Sequence, residues 1–192
     1  MKLKDCITAD LYRYCKDTSL KSFLKTYINS EGFKFTVWLR LCYFGRKKKI
    51  TRYTIFPFCR IIYKYYKYKY GYDIPYACEI GKGLLIFHIG GIVFSAARCG
   101  VNLTLSQNTT VGMKIKSGNK EFPTIGNNVY IAPGAAIIGG INVGDNVAVG
   151  TNCVLTKSVP DNAVVVGVPG KAISYNGAKE YIINPVGEDG NG

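Results

Sequence analysis

The chain has one histidine, His88. An imidazole, with a reference pKa of about 6.5, is the side chain best matched to moving protons at neutral pH. Its natural task is to take the proton from a weak nucleophile such as a hydroxyl as that group attacks, which contributes roughly 10²- to 10⁴-fold in rate. Asp73 precedes it by fifteen residues. A carboxylate beside an imidazole fixes its tautomer and stabilises the cation formed when the proton arrives. The seven cysteines (Cys6, Cys15, Cys42, Cys59, Cys78, Cys99, Cys153) are scattered, without zinc-ribbon or redox spacing and without a histidine in their own motifs, so they read as reduced, mostly buried thiols. No metal site is expected.

These residues stand at the start of a periodic stretch between positions 80 and 168. Ile80, Ile86 and Ile92 are six apart; Cys99, Leu105 and Val111 resume the step after one extra residue; Ile125, Ile131, Ile137, Val143, Val149 and Leu155 continue it. Glycine follows Ile80, Cys99, Val111, Ile125, Val143 and Val149, and is read as supplying positive φ at corners. One inward aliphatic per six residues predicts a three-sided parallel β-helix, three hexads to a coil of about eighteen residues. A sandwich with glycine-rich hairpins predicts irregular turn spacing instead. Between Val111 and Ile125 the step lapses for 14 residues, so residues 113–124 are expected to leave a corner as a loop, where rigid scaffolds usually place specificity.

The segment from Asp73 to His88, the interrupted repeat and the closing Val168, Pro169, Gly170 and Lys171 resemble, in that order, the hexapeptide-repeat acyltransferases, in particular the serine acetyltransferase-like group. The resemblance covers about residues 73–174. It implies a mainly β fold, a left-handed parallel β-helix of hexapeptide repeats, assembled as a homotrimer. It also implies acetyl-CoA as cosubstrate, no metal, and direct attack of a hydroxyl on the thioester. His88 matches the family's catalytic base and Asp73 the aspartate that orients it. The family holds acetyl-CoA in the groove between neighbouring subunits, which places Ala132, Pro133, Gly134, Gly150, Thr151 and Asn152 against it; Lys157 and Lys171 read either as point charges for its phosphates or as solvated surface lysines. Gly112 is the expected backbone donor to the oxyanion. The metal-dependent carbonic anhydrases built on such coils need three histidines, and this chain has one.

Two departures bear on the acceptor. Serine acetyltransferases have an aspartate immediately before the histidine, where this chain has Phe87, and a second histidine in the loop, where it reads Asn119, Lys120, Glu121, Phe122, Pro123. A substrate ammonium buried without a carboxylate partner is costly, and an aromatic ring suits a sugar face. The expectation is O-acetylation of a sugar hydroxyl in cell-surface polysaccharide biosynthesis, on a small-molecule or lipid-linked acceptor contacted by Phe87 and Glu121. The alternatives are serine O-acetylation for cysteine biosynthesis, and a non-catalytic β-helix scaffold or membrane-recruited assembly protein.

Residues 1–72 contain 17 Lys/Arg against 4 Asp/Glu and residues 73–192 contain 8 of each, so the net charge of +13 belongs to the N-terminal segment. Leu3, Ile7, Leu11 and Tyr14, then Leu20, Phe23, Leu24 and Tyr27, fall at helical spacings. A third helix, Phe33 to Phe44, is apolar on every side and too short to cross a bilayer. Aromatic and basic residues interleave up to Tyr70. Residues 33–70 read either as helix packed on the trimer with a solvated basic face or as a segment lying on an anionic membrane surface. No nucleic-acid motif accompanies the charge. Asp5 and Asp10 interrupt the run a signal peptide needs, so the expected location is cytoplasmic, peripheral at the inner face of the membrane in the second reading. The expected organisation is a basic, aromatic-rich α-helical region over 1–72, the β-helix over 73–174, and an exposed or frayed tail over 175–192.

Overall fold

A computed structural model describes residues 1–187, with five helices followed by a coil of short parallel strands. The helices are α1 (Leu3–Cys15), α2 (Leu20–Asn29), α3 (Glu31–Gly45), α4 (Lys49–Tyr53) and α5 (Ile55–Tyr70). The helical spacings over 3–28 and 33–44 thus correspond to α1, α2 and α3. Ser19 and Ser30 open α2 and α3, their hydroxyls accepting from the amides of Ser22 and Phe33, donors that a helix start otherwise leaves free. Gly71, at φ 70°, stops α5 in the left-handed conformation that glycine reaches without strain.

From Tyr72 the chain winds over three faces. Tyr72–Asp73, Ile92–Phe94, Thr110–Gly112, Ala136–Ile138 and Val154–Leu155 stack on the first face. Leu85–Ile86, Thr104–Leu105, Tyr130–Ile131, Ala148–Val149 and Val164–Val166 form the second, and Arg98–Cys99, Thr124–Ile125 and Asn142–Val143 the third. Neighbours within each of these ladders are parallel. The hexad aliphatics stack inward as expected: Ile86, Leu105, Ile131, Val149 and Val165 make one buried column. Lys171–Ser174 closes the second face as an antiparallel strand on Val164–Val166. Residues 113–124, expected as a loop, contain a two-stranded hairpin of Lys114–Lys116 and Asn119–Glu121.

Two expectations fail for physical reasons. None of the six hexad glycines has positive φ; asparagines take it, among them Asn102, Asn128, Asn146 and Asn162 at φ 52–63°. The glycines are there because successive coils touch: a Cβ on Gly100 or Gly126 would lie 2.7 or 2.5 Å from a backbone carbonyl oxygen of the next coil. Nor is the segment after 174 frayed over its described part. Ala178 and Ile182 bury against Ala148, and Tyr181 stacks on Tyr130 with ring centroids 5.1 Å apart. Residues 188–192 lie outside the described residues.

The helices close the lower end of the coil. Phe35, Leu39 and Cys42 of α3 and Cys59 and Tyr63 of α5 share one core with Tyr72, Ile74, Ile80 and Ile86. The edge strands of that end would leave backbone groups unpaired, and a buried orphan costs about as much as a lost hydrogen bond. Polar side chains of α1 and α3 meet them. Arg40 pairs with Asp10 at 2.8 Å and donates to the carbonyls of Ile80 and Gly81 at 2.6 Å each, while Asp10 accepts from the amides of Gly83 and Leu84 at 2.8 and 2.7 Å. Arg13, fully buried, donates to Gly83 O, Thr104 Oγ1 and Ile183 O. Burial works against the charge on Arg40, and the facing Asp10 carboxylate more than offsets it, holding the guanidinium above its ordinary value. Arg40→Ala strands Asp10 as a buried charge and should destabilise by about 3–5 kcal/mol in urea unfolding. The double variant with Asp10→Ala should lose less than the two single losses added together; a loss under about 1 kcal/mol in Arg40→Ala would reduce the pair to surface significance.

Candidate active site

His88 follows the first strand of the second face, at the corner where the chain turns toward the first face. Its backbone is clamped from several sides. Tyr14 of α1 accepts from Ile86 N at 2.9 Å and donates to Ile86 O at 3.2 Å. Tyr72 donates to His88 O at 3.2 Å, Phe87 N bonds Leu105 O at 3.1 Å, and Gly90 N bonds Tyr70 O at 3.1 Å. Burial raises both tyrosine hydroxyls above their ordinary range, so they remain protonated donors. The imidazole itself is exposed and makes no hydrogen bond to another described residue. The clamp fixes the backbone from which the ring projects and leaves the ring open to an incoming group.

The corner above His88 repeats in every coil. Leu85, Thr104, Tyr130 and Ala148 are in register, so the positions three residues further on, His88, Gln107, Pro133 and Thr151, form a column. Asn152 N bonds Pro133 O at 3.0 Å and Gly134 N bonds Gln107 O at 3.1 Å along it. Ala132, Pro133, Gly134, Gly150, Thr151 and Asn152 therefore share one edge of the coil with His88 and Phe87. Gln107 escaped notice in the sequence, although it follows Leu105 by the same two residues that separate His88 from Ile86. Its Oε1 is buried without a hydrogen-bond partner, and its Cβ lies 3.5 Å from where a Cβ on Gly90 would stand. Tyr14 and Tyr72 escaped too, since each reads as an ordinary core aromatic.

Other candidates fall elsewhere. Gly112 ends a strand of the first face, and Glu121 lies in the hairpin beyond it, packed so closely on Gly140 that a Cβ there would approach Glu121 Cβ to 2.8 Å. With Lys157, exposed after Val154–Leu155, they occupy the corner between the first and third faces. Lys171 is exposed on the closing antiparallel strand. Asp73 does not reach His88 in this structure. Its carboxylate pairs with Lys67 Nζ at 2.6 Å. The expected stacking assumed a coil of about eighteen residues, but Asp73 pairs with Val93, twenty positions on, and His88 falls five short of that. Burial pushes Cys42 up to about 12 and Cys6 up to about 11, and raises Cys99 and Cys153 as well, which keeps these four as thiols.

Residues 122–157 match the bacterial transferase hexapeptide model of six repeats. A serine acetyltransferase of Bacillus pumilus is 31% identical over 166 residues, spanning 85% of this chain and 74% of that protein. A serine acetyltransferase of Staphylococcus xylosus is 36% identical over 121 residues, 62% of this chain and 56% of its own length. Among solved structures, the Neisseria gonorrhoeae serine acetyltransferase superposes with a TM-score of 0.73 at 27% identity, covering 90% of this chain and 66% of that one. The soybean apoenzyme gives 0.72 at 28%, covering 89% and 69%. The coil is thus the left-handed β-helix expected. The sugar acceptor of polysaccharide biosynthesis is not sustained: a likeness to serine acetyltransferases that runs through 85% of the chain outweighs the two local departures, Phe87 and the missing second histidine in the loop, on which it rested. The repeat match, the relative sharing 31% identity over 85% of the chain and the likeness in fold together place this chain in the serine acetyltransferase branch of the hexapeptide-repeat transferases, acyltransferases that use acetyl-CoA and typically form trimers.

Proposed function

We propose that the chain transfers the acetyl group of acetyl-CoA to the hydroxyl of serine, with His88 as general base. The observation that supports this best is the corner column, which lines an exposed imidazole on a clamped backbone with the positions matching the family's acetyl-CoA groove. The imidazole takes the hydroxyl proton as the oxygen attacks the thioester carbonyl, forming the new C–O bond. Collapse of the tetrahedral intermediate breaks the C–S bond, and the leaving thiolate receives that proton from the imidazolium. Asp73 is the positioning residue. Its side chain is 56% exposed, and an exposed ion pair is worth about 0–1 kcal/mol, so little opposes its exchange of Lys67 for the imidazolium.

The two corners divide the remaining roles. In a trimer the His88 corner of one protomer meets the hairpin corner of its neighbour, which brings the Gly112 amide to the oxyanion, Glu121 to the acceptor and Lys157 toward the cofactor phosphates; Lys171 approaches them from the upper end. Phe87 stands where the family holds an aspartate for the substrate ammonium, and Gln107 Oε1, one coil above, is an acceptor without a partner. We assign the ammonium to it.

His88→Ala should lower the rate of acetyl transfer by roughly 10²- to 10⁴-fold while acetyl-CoA binding by calorimetry is retained; turnover near that of the parent would remove His88 from the base role. Gln107→Leu deletes an unsatisfied buried oxygen, so the melting temperature should hold or rise. The KM for serine should rise roughly tenfold with loss of a charge-assisted bond. An unchanged KM would place the ammonium elsewhere.

A further inference from the structure

The outward side of α4 and α5 is neither core nor ordinary surface. Phe58, Ile61, Tyr65 and Tyr68 recur at three- and four-residue steps along one side of α5, all exposed, while Cys59, Tyr63 and Tyr70 on the other side are buried. Ile50 of α4 and Tyr53 at its end are exposed as well, Ile50 at 80% against 68% for Ile61. Contiguous apolar surface of this kind on a folded protein marks a contact site. Its borders are cationic. At 100° per residue, Lys64 and Arg60 lie along one margin of the α5 strip and Lys69 along the other. Residues 46–70 contain nine Lys/Arg and no Asp/Glu, and among the described residues only Lys67 of that run is paired with a carboxylate.

We infer that this face docks on an anionic membrane surface, with its aromatic and aliphatic side chains at headgroup depth and its lysines and arginines on lipid phosphates. Charge complementarity selects that occupant. A second copy of the segment would set nine cations against nine, and residues 73–192 have eight charges of each sign, so another copy supplies no net counter-charge. A nucleic acid would satisfy the cations but leave Ile50 and Ile61 in water. Tyr53, Tyr65 and Tyr68 suit an interface, with an apolar ring and a hydroxyl that stays wet. Among the described residues no helix is long and apolar enough to cross a membrane, and α5, at 16 residues, lies along the surface instead.

The test is flotation of the full chain with phosphatidylcholine vesicles, with and without phosphatidylglycerol. Recovery with the anionic vesicles alone, abolished by high salt, is the expected result. Lys64→Glu with Lys69→Glu should reduce partitioning roughly thirtyfold or more, and Phe58→Ser with Ile61→Ser should reduce it comparably, both variants keeping the parental circular dichroism spectrum. Equal recovery with neutral vesicles, or none with anionic ones, would overturn the inference. So would a fall in oligomer mass by light scattering in the Ser variant, which identifies a second copy as the occupant, or binding of a DNA duplex that the Ser variant leaves intact.

Discussion

The lower edge of the β-helix needs partners, and that need organises the N-terminal half of the chain. A coil pairs each strand with the one above, so its first turn is left with unpaired amides and carbonyls around residues 80–86. Water would satisfy them, but the helices packed there exclude it. Arg40, Asp10, Arg13 and Tyr14 replace it with directed bonds to Ile80, Gly81, Gly83, Leu84 and Ile86. Three of the four are polar groups that α1 and α3 bury almost completely, a costly choice unless every donor and acceptor is matched. The match is close enough that one device caps the coil, docks the helices and, through Arg13, ties down the segment at Ile183.

The same device reaches the chemistry. The strand held by Tyr14 ends two residues before His88, so the clamp that completes the fold also fixes the backbone at the proposed base. Tyr72 and Tyr70 add bonds to the next few backbone groups. Reacting groups must be held to fractions of an ångström, and the clamp holds the backbone at His88 while leaving the ring open. The helical cap is therefore part of the positioning apparatus of the site. The basic apolar face of α4 and α5 lies on its outer side, away from that clamp.

The hexad step made the three faces, their inward columns and the interruption legible from residue types alone, because stacking identical coils imposes strict periodicity on the buried aliphatics. What it could not show was the cause of the glycines, which answer to contact between coils rather than to dihedral freedom, a distinction invisible without the neighbouring coil. Counting by eighteen also understated the first coil: Asp73 pairs with Val93, twenty positions on, and its carboxylate sits against Lys67. Gln107 was legible in principle, at a constant offset from the second-face aliphatics, but an amide in a repeat attracts no notice until its oxygen proves unpartnered. The sugar acceptor was read from two local departures, Phe87 and the missing second histidine in the loop, and these decide less than a likeness to serine acetyltransferases that runs through 85% of the chain.

The account rests on serine being the group that receives the acetyl. Incubating the purified protein with acetyl-CoA and L-serine, and following thiol release alongside mass spectrometry of the amino acid, tests this most directly. The prediction is O-acetylserine formed in step with free CoA at a rate that saturates with serine. Thiol release that is independent of serine, with no acetylated amino acid, would contradict it.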